Sequence, residues 1–304
     1  MPSFTAVGYY FGHALSGHLD RPVGLIQSAW GGTPAEAWTE ASFLEGVEAF
    51  APIFEREPRN EAHVPSVLYN GMIAPLAPLQ VKGAIWYQGE SNAGRAEQYR
   101  TLFPAMIRSW REAFRREDLP FLFVQLANFR ERKAEPDESD WAELREAQDM
   151  ALGLARTGMA VIIDVGEAND IHPRDKRTVG ERLALEARRV AYGERVDSRG
   201  PTFADFAVDG REVTVAFDHA EGLTTTDGEA PVGFALAGPD RVFHWAEARI
   251  DGERVVLSSE AVATPVAVRF AWADNPAHNL VDAAGLPAAP FRTDTWPGVT
   301  TGRR

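Results

Sequence analysis

Asp170, Ile171, His172 and Pro173 follow one another in a stretch that reads as a strand-to-helix loop. A hydrolase base is typically a histidine whose second ring nitrogen is held by a carboxylate, and Asp-x-His supplies both groups close together. The same pair also describes an ordinary surface ion pair. Two other loops carry groups that would serve such a base. Gly31-Gly32, within Trp30-Gly31-Gly32-Thr33-Pro34, lets the backbone turn tightly and aim N–H groups at a developing oxyanion. A glycine pair can equally do no more than make a turn. Gln88-Gly89-Glu90-Ser91-Asn92 sets two amides, a carboxylate and a hydroxyl around one glycine. There Gln88 or Asn92 could donate to an oxyanion, while Glu90 could orient a neighbour or contact a hydroxylated substrate. Ser91 and Asn92 suit the cap of the following helix just as well. The other histidines (His13, His18, His63, His219, His244 and His278) have no comparable setting.

Elements must exist to hold these loops. Val23–Ala29, Val81–Tyr87, Phe121–Ala127 and Met159–Val165 are short, nearly continuous apolar runs, as expected of strands buried on both faces. Helical patterns lie at Phe4–Leu19, Thr39–Phe50, Ala96–Arg116, Trp141–Arg156 and Lys176–Gly193, with Pro173 read as a first-turn residue. This alternation predicts an α/β domain over residues 1–195, a doubly wound parallel sheet with helices on both faces. Ligands bind such sheets at the carboxyl ends of the strands, which is where the three loops fall. The connection from Ala51 to Gln80 carries Pro52, Pro58, Pro65, Pro75 and Pro78, and its length predicts a functional loop. Beyond Gly193, β-like runs appear at Glu212–Phe217, Gly233–Leu236, Ala248–Ile250, Arg254–Leu257 and Ala267–Trp272. Asp209-Gly210, Asp227-Gly228 and Asp251-Gly252 are hairpin dipeptides, so an antiparallel β module is expected over residues 199–298.

The composition removes several classes of function. With 31 Lys+Arg against 44 Asp+Glu, the 304 residues carry a formal charge of −13, which argues against nucleic acid as the main partner. No apolar run approaches the roughly 18 residues of a membrane span. The chain has no cysteine, which excludes disulfides, thiolate metal sites and a cysteine nucleophile. No His-x-x-x-His or acidic cluster has metal-ligand spacing, so neither metal nor cofactor is expected. The first residues lack the basic and apolar regions of a signal peptide.

A glycine turn, then a Gln/Asn turn, then a late Asp-x-His before the last helix is the order found in SGNH-type serine esterases. The longer strings VGLIQSAWGGTPAEAWT, YNGMIAPLAPLQVKGAIWYQGESNAG, NDIHPRDKRTVGERLAL and AVRFAWADNPAHNLVDAAGLPAAPFRTDTWP resemble the sialate O-acetylesterase family, over about residues 3–298. The resemblance implies an SGNH-hydrolase, flavodoxin-like fold acting on acetyl esters of sialic acids or related sugars. It makes His172 the general base, Asp170 its carboxylate, and Gly31 or Gly32 a backbone oxyanion donor. Gln88, Gly89 and Glu90 would form the loop of further oxyanion and substrate contacts. An acetylated sugar is then the expected partner, without nucleic acid or membrane insertion.

One family feature is missing. The family's serine lies in a Gly-Gln-Ser-Asn-Met string upstream of everything seen here, and no such string occurs. Ser28 and Ser91 are the possible substitute nucleophiles. In a flavodoxin-like sheet the first strand is interior. Without it, Val23–Ala29 must close onto Val81–Tyr87, take a partner strand, or leave an unstable sheet. The expectation is an N-terminally incomplete α/β domain, exported to periplasm or medium if a signal lies upstream and otherwise cytoplasmic. A second reading is a non-catalytic carbohydrate-binding remnant using Trp30, Trp86, Gln88, Trp245 and Trp272. A third is a lipase-like or thioesterase SGNH enzyme.

Overall fold

Phe121–Val124 is apolar at every position and buried at every position, and each face of this strand has its own cover. The computed structural model describes residues 4–303. In chain order the first elements are α1 (Ala6–Leu19), α2 (Ala51–Glu55), β1 (Ala84–Trp86), α3 (Ala96–Ala113), β2 (Phe121–Val124), α4 (Asp140–Met150), β3 (Thr157–Ala160) and α5 (Lys176–Tyr192). Strands β1, β2 and β3 form a parallel sheet in that order, with Trp86 opposite Phe123 and Phe123 opposite Met159. Successive side chains of a strand point to opposite faces. Phe121 and Phe123 accordingly join the core made with α3 and α4, where Phe103 sits 5.0 Å from Phe123 and Trp110 5.5 Å from Phe121. Leu122 and Val124 face α1 and α5. Those two helices approach closely at Gly180, where a Cβ would stand 2.7 Å from the Phe11 backbone nitrogen.

The sheet is smaller than the sequence predicts. Val23–Ala29 forms no regular element and pairs with no strand, and among the described residues it closes onto β1 nowhere. An unpaired strand keeps open N–H and C=O groups, and alternate residues such as Gly24 and Ile26 are indeed exposed. The helix expected at Thr39–Phe50 is instead a series of 3-10 turns leading into α2. Trp141–Arg156 stops being α-helical at Met150. Helix α5 opens at Lys176 with Asp175 as its cap, so Pro173 lies in the loop and not in the first turn. The proline-rich stretch after α2 is no free loop: Leu68, Tyr69 and Ile73 bury their side chains in the main core.

The rest of the chain is antiparallel: β4 (Thr202–Asp209), β5 (Glu212–Asp218), β6 (Thr224–Thr225), β7 (Phe234–Ala237), β8 (Phe243–Trp245), β9 (Glu247–Asp251), β10 (Arg254–Ser258), β11 (Ala267–Phe270), β12 (Leu280–Val281) and β13 (Phe291–Arg292). They make the sheets β4-β5-β10-β9 and β13-β11-β7-β8 and the pair β12-β6. Asp209-Gly210 and Asp251-Gly252 do turn hairpins, with both glycines at positive φ. Asp227-Gly228 does not: the strand before it pairs with β12, and Asn279 bonds the Asp227 carboxylate. No described helix is long and apolar enough to cross a membrane.

Several buried polar contacts join the two regions. Arg145 on α4 has no exposed surface and donates to the carbonyls of Leu126, Ala127, Ala273 and Asp274. Glu143, also buried, accepts the Val299 and Thr300 N–H groups. Asp149 on the same helix is less well served. Burial pushes its carboxyl up to about 6; Arg199 opposes that rise and Glu146 adds to it. The unfolded chain releases this proton near pH 4, so the stability that goes with protonated Asp149 is full below about pH 4 and gone above about pH 6. Asp149→Asn, which keeps the neutral form, is therefore expected to raise the unfolding free energy near pH 8 by an amount on the order of 2–3 kcal/mol and to change it little near pH 4. Urea titrations at the two pH values check this.

Candidate active site

The Trp30–Thr39 segment has no backbone ladder to hold it, and side chains do that work. Ser91 Oγ donates to Gly32 O (2.9 Å) and Gln88 Nε2 to Thr33 O (3.2 Å). Asn92 Oδ1 accepts both the Ala35 N–H (2.9 Å) and Gln88 Nε2 (2.7 Å). Asn92 Nδ2 donates to Glu36 Oε2 (3.0 Å), whose other oxygen pairs with Arg95 (2.7 Å). Glu36, Gln88 and Asn92 are all buried, and a buried carboxylate persists only when paired and hydrogen-bonded. Gly89 completes the packing, since a Cβ there would stand 2.5 Å from Leu144 Cδ2.

This network reassigns several residues. Gln88 spends both amide hydrogens internally and its Oε1 accepts from Tyr99 (3.0 Å), so no donor is left for an oxyanion. Asn92 spends its Oδ1 twice and one Nδ2 hydrogen on Glu36. Neither Ser91 nor Asn92 caps α3, whose cap position is Arg95 without a side-chain bond. Gly31 and Gly32 fit their expected use better. Both are exposed, Gly32 has φ +74°, and among the described residues neither N–H is hydrogen-bonded.

The loop after β3 is held from the opposite side. Gly166 N–H donates to Asn128 Oδ1 (2.6 Å), and a Cβ on Gly166 would fall 1.9 Å from the Asn128 carbonyl oxygen. Only glycine tolerates that approach. Asn128 in turn donates to Asn275 Oδ1, and the Arg130 N–H donates to Ala168 O. At the tip, Asp170 Oδ1 accepts the His172 backbone N–H (2.8 Å) and lies 3.8 Å from His172 Nδ1. The pair is thus adjacent, but its short bond goes to the backbone and not to the ring. Both side chains face solvent.

Glu90, on the turn after β1, feels charges of the other loop. Burial pushes its carboxyl above the usual range, while backbone N–H groups and the charges of His172 and Lys176 pull it back. Burial lowers the Lys176 ammonium, opposed by Asp170, Glu90 and Glu167. Lys176 thus feels the charges of carboxylates on both loops, and it lies outside the motifs that the sequence marks. A lysine at the first position of a helix opposes the helix dipole, and that misfit was the available signal. The candidate nucleophiles do not join this cluster. Ser28 Oγ donates to Met72 O (3.0 Å), and among the described residues no hydroxyl bonds the His172 ring. Trp86 is no substrate platform either: it is buried, edge-on between Trp38 and Trp110. Trp30 is 58% exposed beside the glycine turn. Among the described residues no three His, Asp or Glu side chains gather as a metal would require.

A parallel α/β sheet whose last strand leads to an Asp–His loop, with a separate glycine turn whose N–H groups are open, has the layout of the α/β esterases. The comparisons with known proteins narrow this class. A family model described as "Carbohydrate esterase, sialic acid-specific acetylesterase" matches residues 4–188. Sialate O-acetylesterase of Homo sapiens is 32% identical over 328 residues, covering 97% of this chain and 62% of that protein. The Rattus norvegicus sialate O-acetylesterase is 30% identical, covering 94% and 63%. The crystal structure of a carbohydrate acetylesterase from Xanthomonas citri superposes with TM-score 0.89 at 48% identity, covering 96% of this chain and 66% of that one. The chain belongs to the sialic acid-specific acetylesterase family of carbohydrate esterases. It spans less than two thirds of the length of these relatives.

Replacing Asn92 tests the network directly. Asn92→Leu leaves the Ala35 N–H, one Gln88 hydrogen and part of the Glu36 carboxylate buried without partners, each costing about 1–3 kcal/mol. A loss of about 3–5 kcal/mol in urea unfolding is expected.

Proposed function

We propose that this chain carries the acid–base and oxyanion parts of a carbohydrate O-acetylesterase acting on acetylated sialic acids or related sugars. The observation that carries the reading is the adjacent Asp170–His172 pair on the loop after β3, in a chain of this family. The nucleophile is a serine on a strand seated between Val23–Ala29 and β1. In support, both flanking edges are unpaired among the described residues, and neither Ser28 nor Ser91 turns its hydroxyl to His172.

The chemistry follows from these positions. His172 takes the serine proton as the serine oxygen bonds to the acetyl carbon, and Asp170 stabilises the imidazolium. The free N–H groups of Gly31 and Gly32 stabilise the oxyanion, a contact of about 3–4 kcal/mol in acyl transfer. The sugar hydroxyl leaves with the proton from His172. Water then attacks the acetyl-enzyme, with His172 again as base, and acetate is released.

The spent hydroxyls of Ser28 and Ser91 also favour a second reading, a binding remnant without chemistry. Hydrolysis of an aryl acetate separates the two. A form of the protein extended by a Gly-Gln-Ser-Asn strand is expected to hydrolyse the ester, with His172→Ala reducing the rate by about 10³-fold or more. The 304-residue chain alone is expected to show only background turnover, insensitive to His172→Ala. If the extended form is inert, the remnant reading stands. If the chain alone turns over in a way that needs His172 and Ser28 or Ser91, a local serine is the nucleophile.

A further inference from the structure

Between the Pro136–Glu138 stretch and strands β7, β8 and β11 lies a pocket of about 260 Å³, and no residue of the Gly31, Gln88 or Asp170 loops lines it. Strand β8 is the outer strand of its sheet, and Phe243 and Trp245 share one of its faces because alternate residues do. Both line the pocket. Trp245 is 40% exposed, yet its indole Nε1 donates to Ala134 O (2.6 Å) and its carbonyl accepts from Ser259 Oγ (3.1 Å). Its ring is an open apolar face held in place by both ends.

Four charged side chains line the pocket: Asp137, Glu138, Arg241 and Arg269. Three of them have counter-ions. Asp137 pairs with Lys133, and Arg269 is held by Glu138 (2.9 Å) and by Asp294 (2.9 Å). Arg241 is different: among the described residues no carboxylate pairs with its guanidinium. It is an exposed residue, yet its place is fixed. The Arg241 N–H closes a turn onto Gly238 O (3.0 Å), and the Val242 N–H bonds Asp240 Oδ1 (3.2 Å). The guanidinium lies 5.4 Å from the centre of the Trp296 ring, which itself packs 5.7 Å from Phe243 in the pocket wall. The turn also sets Arg241 in a left-handed backbone (φ +63°), a conformation that favours glycine or asparagine over arginine.

A free guanidinium and a fixed indole face in one pocket suit a ligand with two parts. One is an anionic group that accepts N–H bonds in the guanidinium plane, and the other is a ring with an apolar face. We propose that this pocket binds one sugar-acid residue of a glycan, a sialic or uronic acid, with its carboxylate on Arg241 and its ring on Trp245. Because none of the three loops contributes to the pocket, the residue it holds is not the one whose ester is cleaved. The choice of a sugar rests on the carbohydrate reading above, whereas the test involves no ester hydrolysis, so either can fail without the other.

The test combines calorimetry with indole N–H signals by NMR in protein labelled with ¹⁵N-tryptophan. The 304-residue protein is titrated with the methyl glycosides of N-acetylneuraminic acid and glucuronic acid, the methyl esters of both, methyl glucoside and inorganic phosphate. At least one of the two acids is expected to bind saturably and to move the Trp245 signal. Its methyl ester and the neutral glucoside are expected to bind more weakly by about tenfold or more. Arg241→Gln is expected to cost the acid the same factor, and Trp245→Ala about fivefold by calorimetry. The comparison of acid with ester needs no variant, so it decides the matter even where a variant folds poorly. The proposal is overturned if neither acid binds, if the esters or the glucoside bind as tightly as the acids, or if the acids move the Trp30 signal and not that of Trp245. It is equally overturned if phosphate alone binds as tightly as the sugar acids, or if Arg241→Gln binds as the parent does.

Discussion

Asn92 bonds Glu36, Gln88 and the Ala35 N–H at once, and this junction keeps two loops in register that share no backbone ladder. The constraint comes from burial. A carboxylate and two amides removed from water must satisfy one another or be destabilised by several kcal/mol. The open N–H groups of Gly31 and Gly32 are therefore positioned by side chains of the Gln88–Arg95 turn. Burial of the polar groups and geometry of the reactive ones are one problem with one solution.

The loop bearing Asp170 and His172 depends on a different support. Asn128 holds Gly166, Asn275 holds Asn128, and Arg145 ties the Leu126–Ala127 carbonyls to those of Ala273 and Asp274. Burial pushes the Arg145 guanidinium down to about 9, and no carboxylate hydrogen-bonds it among the described residues; its positive charge rests on carbonyl oxygens. The antiparallel region is thus part of the scaffold of the acid–base loop. Its buried contacts through Glu143 and Arg269 strengthen the same attachment.

Much of the architecture was legible because hydrophobic period and burial agree. Phe121–Val124 is covered on both faces and reads so, and α1, α3 and α5 begin or end within a few residues of their expected limits. Strands β4, β6, β8, β12 and β13 were not legible. β4 is mostly exposed or half-exposed along its length, and the others span only two or three residues, too short for alternation to show. Val23–Ala29 failed for the opposite reason. Its apolar run is that of a buried strand, but a strand exists only where a neighbour offers hydrogen bonds, and no neighbour is specified within the segment.

The same division runs through the site. Residue types and order by themselves determined the Asp-x-His loop, the glycine turn, the polar turn after β1 and the family, because those are local strings. Only the tertiary structure decided that the Gln88 amide is consumed by internal partners, that Trp86 belongs to the core, and that the charges of Glu90, Asp170 and Glu167 reach Lys176. Donors and acceptors are consumed pairwise by partners tens of residues away, as Gln88 is by Thr33 across a separation of 55. A sequence displays which groups can form hydrogen bonds. The fold decides which of them are left over for chemistry.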